Sequence, residues 1–116
     1  MKTHRLVLPG DLNQYGFLFG GKMLSWVDEA CWIAASLDYP NCRFVTVGMD
    51  QVEFRHGVAE GVILEIDCQK TREGNTSVSY SVNVSGSGDQ VEGMIFSTVV
   101  TFVNVDPEGK KLLLTQ

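Results

Sequence analysis

One stretch of this chain, Gly20 to about Leu37, repeats its apolar residues with a helical period. At about 100° per residue, Met23, Leu24, Val27, Ala30, Cys31, Ala34 and Ala35 share one face, with Lys22, Ser25, Glu29 and Ser36 opposite. Pro40 ends the helix, and residues 38–42 form a connecting loop. Everything after it reads as strand. Residues 43–55 are rich in β formers, but the apolar parity changes between Val45, Val47, Met49 and Val52, Phe54, which predicts a bulge near 48–51. Residues 62–72 alternate, with Val62, Leu64, Ile66 and Cys68 on one side, and 76–85 do the same with Val78, Tyr80, Val82 and Val84. Residues 91–105 are apolar on both parities over 95–103, as expected of a central strand or one covered on both faces. Ahead of the helix, residues 3–8 read as a short strand ended by Pro9-Gly10, and 11–19 as a loop. Turns fall at 56–61, 73–75 and 86–89, so the four later strands are expected to be antiparallel and joined by short turns. One helix with one apolar stripe and one sheet with one apolar face bury both when the sheet curls around the helix. The expectation is α+β: a single domain over 1–116, with one long helix wrapped by a curved antiparallel sheet of five or six strands.

The bulk properties remove several classes of function. Nine basic against fourteen acidic residues give a formal charge of −5, the wrong sign for non-specific nucleic-acid binding. No apolar run approaches the length of a membrane span, and Met1-Lys2 leads into no signal-peptide core. Cys31, Cys42 and Cys68 show no C-x-x-C or metal spacing and are expected to be free thiols in a reducing cytoplasm.

Gly16 and Gly21-Lys22 have the G-x-x-x-x-G-K spacing of a phosphate-binding loop. Such a loop needs a buried strand directly before it and a hydroxyl after the lysine. Here the strand ends at Leu8, and Met23 stands in the hydroxyl position. Nucleotide folds also use parallel βαβ units, whereas these strands are antiparallel. What survives is a helix start at Gly20-Gly21 with exposed amides, where the helix dipole is positive and a ligand carbonyl can approach closely. The same glycines would equally serve a helix passing close to a sheet.

Two acids follow in the helix. Glu29 lies in the middle of the polar face, as a solvated charge would. Asp28 lies at the edge of the apolar stripe near Leu24, Trp32 and Ala35, where partial desolvation suits a base, or equally a boundary residue with a local hydrogen bond. Gly21 and Asp28 are about 10 Å apart along the axis at about 1.5 Å per residue, too far for both to act on one carbonyl from one chain. A two-fold dimer with antiparallel helices would bring one copy's acid to the other's helix start.

The run Asn13-x-x-Gly16-x-x-Phe19-Gly20-Gly21 followed by Asp28 resembles the acyl-CoA thioesterases of the hot-dog fold, and within them the cytosolic acyl-CoA hydrolase group. The likeness continues through Val45-Thr46-Val47, Asp50-x-Val52-x-Phe54 and Gly74-Asn75-Thr76-Ser77. It implies hydrolysis of acyl-CoA to free acid and coenzyme A at a site between two subunits. It implies a homodimer as the minimal unit, commonly built into tetramers or hexamers, with no cofactor, since coenzyme A is part of the substrate. In that frame Asn13 orients the water or the thioester, and the partner copy's Asp28 is base or nucleophile. The Gly20 and Gly21 amides form the oxyanion hole, and Thr46 is a third polar group. Arg55, His56, Lys70 and Arg72 flank strand ends, and Arg72 with Ser77 brackets the Gly74 turn; these are candidates for the phosphates of coenzyme A. Phe19, Trp26 and Trp32 are candidates to narrow an acyl tunnel. Two departures stand out: residues 54–61, Phe-Arg-His-Gly-Val-Ala-Glu-Gly, replace a turn that usually contains proline, and the chain stops at Lys-Lys-Leu-Leu-Leu-Thr-Gln. A non-catalytic acyl-CoA-binding module and an enoyl-CoA hydratase on the same fold are the alternatives. The second needs an Asp–His pair that neither His4 nor His56 provides by spacing, so neither histidine is assigned a catalytic role.

Overall fold

The computed structural model describes residues 1–87 and 93–115, so the end of the predicted 86–89 turn lies outside the described residues. The helix, α1, runs Gly20–Asp38. It stops with Tyr39 as its C-cap, directly before Pro40, because the residue preceding a proline is disfavoured in helical conformation. Its buried face is Met23, Trp26, Val27, Ala30, Cys31, Ala34 and Ala35. The predicted stripe therefore holds, with Trp26 added and Leu24 half-buried at its margin. Small side chains along the C-terminal half let the helix settle closely on the sheet. Cys31 Sγ reaches Cys68 Sγ at 3.3 Å, and this hydrogen bond, with burial, pushes the Cys31 thiol up and keeps it protonated. All three cysteines are free thiols.

Among the described residues five antiparallel strands make one sheet: β1 Lys2–Leu6, β2 Phe44–Phe54, β3 Ile63–Glu73, β4 Ser77–Gly86 and β5 Met94–Asn104. Alternation decides which side each presents to the helix. Leu64, Ile66 and Cys68 of β3 and Val78, Tyr80, Val82 and Val84 of β4 are buried, as the sequence period requires. β5 is interior, between β4 and β2, and contributes Ile95, Phe96, Val100 and Phe102 to the core. The predicted irregularity in β2 is present as register shifts between Thr46 and Gly48 and between Asp50 and Glu53, with Gln51 at φ 52°.

Two expectations are corrected. The N-terminal strand is shorter than 3–8; Val7 is buried beyond it, and Pro9–Asp11 forms a 3₁₀ turn that Asp11 closes by accepting the Leu8 N–H at 2.9 Å. The second concerns the order. Short turns join β3 to β4, but β2 and β3 are not neighbours: the sheet runs β1-β3-β4-β5-β2. Residues 55–62 carry the chain from one edge of the sheet to a strand on its other half. Among the described residues β2 is thereby left with one side unpaired, an edge that bears on the candidate site.

Candidate active site

At the start of α1 the N-cap residue is Phe19, whose side chain cannot accept a hydrogen bond. The first helical amides have no intrahelical acceptor, and among the described residues no acceptor is found for the Gly20 or Gly21 N–H. The glycines are not required by packing within the chain. A Cβ at Gly20 would meet the Phe54 ring at 3.5 Å and one at Gly21 the Phe19 ring at 3.5 Å, both ordinary contacts, and neither residue has positive φ. What the missing side chains provide is open access to two unpaired amides. Lys22, the lysine of the apparent phosphate-loop spacing, is paired with Asp11 at 3.5 Å instead.

A pocket of about 290 Å³ opens beside this helix start. Asn13, Gly20, Arg55 and His56 supply its polar part, and Leu18, Met23, Phe54 and Val58 most of its apolar wall. Asn13 is held by its own loop: its Oδ1 accepts the N–H of Tyr15 at 2.9 Å and of Phe17 at 3.1 Å. Gly16, at φ +85°, makes the reversal that allows both bonds. With the side-chain carbonyl so occupied, the Nδ2 amide is the group Asn13 has left to offer.

Asp28 sits further along α1, half-buried, and Thr46 Oγ1 of β2 donates to its Oδ1 at 2.7 Å. One carboxylate oxygen is thus fixed by the edge strand while Oδ2 has no partner among the described residues. Because α1 is continuous from Gly20 to Asp38, the separation of about 10 Å between Gly21 and Asp28 stands. Glu29, expected as a solvated charge, is exposed and bonded to Arg5 at 2.6 Å.

The remaining candidates divide. Phe19 and Trp32 are exposed, the latter donating from Nε1 to the Phe44 carbonyl at 3.2 Å, while Trp26 is buried under Arg5. Arg55 borders the pocket, but its guanidinium is bonded to Ser97 at 2.8 Å and Glu53 at 3.0 Å. Lys70 and Arg72 on β3 and Ser77 on β4 are not among the pocket residues. Lys70 lies at the opposite end of α1, over the Tyr39 ring and 3.1 Å from its hydroxyl; Tyr39 in turn donates to Glu73. Ser77 closes the Gly74 turn, its carbonyl accepting the Gly74 N–H at 2.7 Å. His56 does line the pocket, and so do Phe17, Leu18, Met23, Phe54, Gly57 and Val58, none of which except Arg55's neighbour His56 was singled out for the site from sequence. The signal available was weak: apolar residues on either side of the glycine pair, indistinguishable from core. His4 pairs with Glu65 at 3.7 Å, away from Asp28.

Residues 15–92 match the Thioesterase superfamily. The chain belongs to that family. It is 32% identical over 110 residues to the acyl-CoA thioester hydrolase YciA of Escherichia coli, covering 90% of this chain and 83% of that protein. A hexameric hotdog fold thioesterase of Campylobacter jejuni superimposes with a TM-score of 0.83 at 34% identity, covering 97% of this chain and 88% of that one. An acyl-CoA hydrolase of Staphylococcus aureus, solved with butyryl coenzyme A, coenzyme A and coenzyme A disulfide, gives 0.87 at 26% identity, over 98% and 70%. Other curated relatives are matched over 14%, 30% and 64% of their own length, so the chain spans less than two thirds of those proteins. One helix against a five-stranded antiparallel sheet is the hot-dog fold of these neighbours, as the sequence resemblance implied. No helix among the described residues is long and apolar enough to cross a membrane, and no cluster of three metal-binding side chains occurs among them.

Proposed function

We propose that this member of the Thioesterase superfamily hydrolyses acyl-CoA to free acid and coenzyme A, in sites each completed by two copies of the chain. The observation that carries this reading is the Thr46–Asp28 hydrogen bond at 2.7 Å. It holds a carboxylate on the sheet edge that a second copy would cover, about 10 Å from the unpaired amides on the same helix. A two-fold axis beside β2 sets one copy's Asp28 against the other's Gly20 and Gly21. The long exposed edge, with Val45, Val47, Val52 and Phe54 along it, supports that axis, as do the hexameric relatives.

In that site the thioester oxygen lies on the Gly20 and Gly21 amides. Asn13, through Nδ2, orients the carbonyl or the attacking water. Asp28 of the partner copy takes a proton from water through its free oxygen as the water oxygen bonds to the carbonyl carbon. Negative charge collects on the carbonyl oxygen, where the helix dipole and the two amides stabilise it. Collapse breaks the carbon–sulfur bond, and coenzyme A leaves as a thiolate that then takes a proton. Attack by Asp28 itself, with an anhydride hydrolysed afterwards, uses the same groups. No cofactor enters either route. The pantetheine arm carries the phosphates of coenzyme A well away from the thioester, so the side chains that meet them, with Arg55, Lys70, Arg72 and Ser77 as candidates, act at the border of this pocket or outside it. A cytoplasmic enzyme fits the free thiols.

The test is coenzyme A release, followed with a thiol reagent, for the wild type, Asp28→Ala and Gly20→Val, alone and mixed. Each variant alone is expected to be inactive. Mixed and re-associated, they regain part of the activity, because some pairs then hold one intact site. Full turnover by Asp28→Ala, or no recovery on mixing, refutes the shared site.

A further inference from the structure

Gly57 has an unusual neighbour. A Cβ built on it would lie 3.0 Å from Cδ1 and 3.3 Å from Cε1 and Cγ of Phe17, closer than side chains normally pack. Its φ is not positive, so backbone conformation does not call for glycine; the ring does. Phe17 is pinned on both sides of its own backbone. Its N–H bonds Asn13 Oδ1, its carbonyl accepts the Asn13 N–H at 2.7 Å, and the next residue, Leu18, bonds the Val58 carbonyl at 2.7 Å. The loop that carries Asn13 is thereby stitched to the turn that carries Gly57. The ring, 47% exposed, is seated on the glycine where both border the pocket beside Gly20. This is also the turn in which the family resemblance leads one to expect a proline.

The pocket is small. About 290 Å³ lies at the lower limit of small-molecule sites, which run to about 1,000 Å³, so it holds a fragment of an acyl-CoA rather than the whole. Its lining is mainly apolar, and it adjoins the amides assigned to the thioester oxygen. The fragment that matches is the acyl chain next to that carbonyl.

We propose that the Phe17 ring, seated on Gly57, limits the length of acyl chain accepted beside the Gly20 amide. This rests on the hydrolase reading above and adds the substrate class. Phe17 acts on specificity rather than on the reacting atoms. Any side chain at position 57 displaces the ring and so acts only through it.

The experiment measures kcat/KM across straight-chain acyl-CoA esters from acetyl to dodecanoyl, with binding of the matching non-hydrolysable thioethers measured alongside. Phe17→Ala is expected to move the optimum to longer chains, raising the decanoyl-to-butyryl ratio by about tenfold, the low end of what one methylene is worth in an apolar pocket. Phe17→Trp is expected to move it the other way. Gly57→Ala is expected to alter the wild-type profile but to have no further effect in the Phe17→Ala background. Unchanged profiles in both Phe17 variants overturn the proposal, and so does a Gly57→Ala effect that persists without the Phe17 ring. Absence of coenzyme A release from every ester refutes the hydrolase reading alone. The thioether affinities still decide the pocket: a length preference that shifts with Phe17 supports it, and a flat one does not.

Discussion

The two edges of the sheet are built differently. β1 is five residues long and carries Lys2, His4 and Arg5; His4 lies 3.7 Å from Glu65, and Arg5 pairs with Glu29 and lies over the Trp26 ring. A short, charged strand is how proteins keep an edge from recruiting another chain. β2 is eleven residues long and shows Val45 at 43%, Val47 at 57% and Phe54 at 53% exposure. The two ends of α1 differ in the same sense. Near its C-terminal end, the Tyr80 hydroxyl is bonded to Asp38 at 2.6 Å and Tyr39 to Glu73 and Lys70. At its N-terminal end two amides are left open. Finished hydrogen bonding on one side and unfinished on the other separates the structural half from the half proposed to meet substrate and a second copy.

Four measurements would break or sharpen that contrast. Asp28→Ala should lower kcat by about 10²- to 10⁴-fold, the usual range for a general base, with little change in melting temperature. Loss of stability with retained kcat would move Asp28 to the structural side. Val47→Glu, which puts a charge on the exposed β2 edge, should convert the proposed dimer to monomer in light scattering and take most of the activity with it. Thr3→Glu on β1 should leave the assembly intact. Thr46→Val should cost about 10- to 100-fold in kcat, since a hydrogen bond to a charged group is worth about 1.5–3 kcal/mol. A raised KM with unchanged kcat would mean that Thr46 serves binding instead. Tyr80→Phe should lose about 1.5–3 kcal/mol of stability, since its partner is also a carboxylate, and leave kcat alone.

The same tyrosine fixes the sign of a pH effect. Burial and the bond to Asp38 raise the Tyr80 phenol above its ordinary value of 10.0, so the folded state keeps this proton after the unfolded state has lost it. Below pH 10 both states are protonated and nothing is gained or lost. As pH rises above 10 the folded form loses stability relative to the unfolded. Denaturant midpoints should therefore fall more steeply above that pH for wild type than for Tyr80→Phe. Parallel curves would show that Tyr80 does not titrate differently on folding.

Much of this was legible in the chain. Helical spacing placed α1 to within a residue at Asp38, and alternation picked out Val78, Tyr80, Val82 and Val84 as one buried row. The parity change after Met49 announced the bulges of β2. The motif from Asn13 to Asp28 pointed to the family before any geometry was known. Less legible were the surroundings of those residues. Lys70, Arg72 and Ser77 were grouped with Arg55 because each flanks a strand end, yet β3 delivers Lys70 to the far end of the helix. Phe17, Met23, Phe54 and Val58 are ordinary apolar residues in sequence and become a pocket only together.

Local periodicity determined which side chains are buried, where the helix begins and ends, and that Gly20 and Gly21 open it. Each of those depends on neighbours within a few residues, which the chain spells out directly. Only the tertiary structure decided that β2 lies beside β5 with its other side bare among the described residues, that Thr46 grips Asp28, and that the Phe17 ring rests on Gly57. Strand order and such contacts join residues far apart in sequence. They follow from how one sheet closes over one helix, a property of the whole chain that no short segment carries.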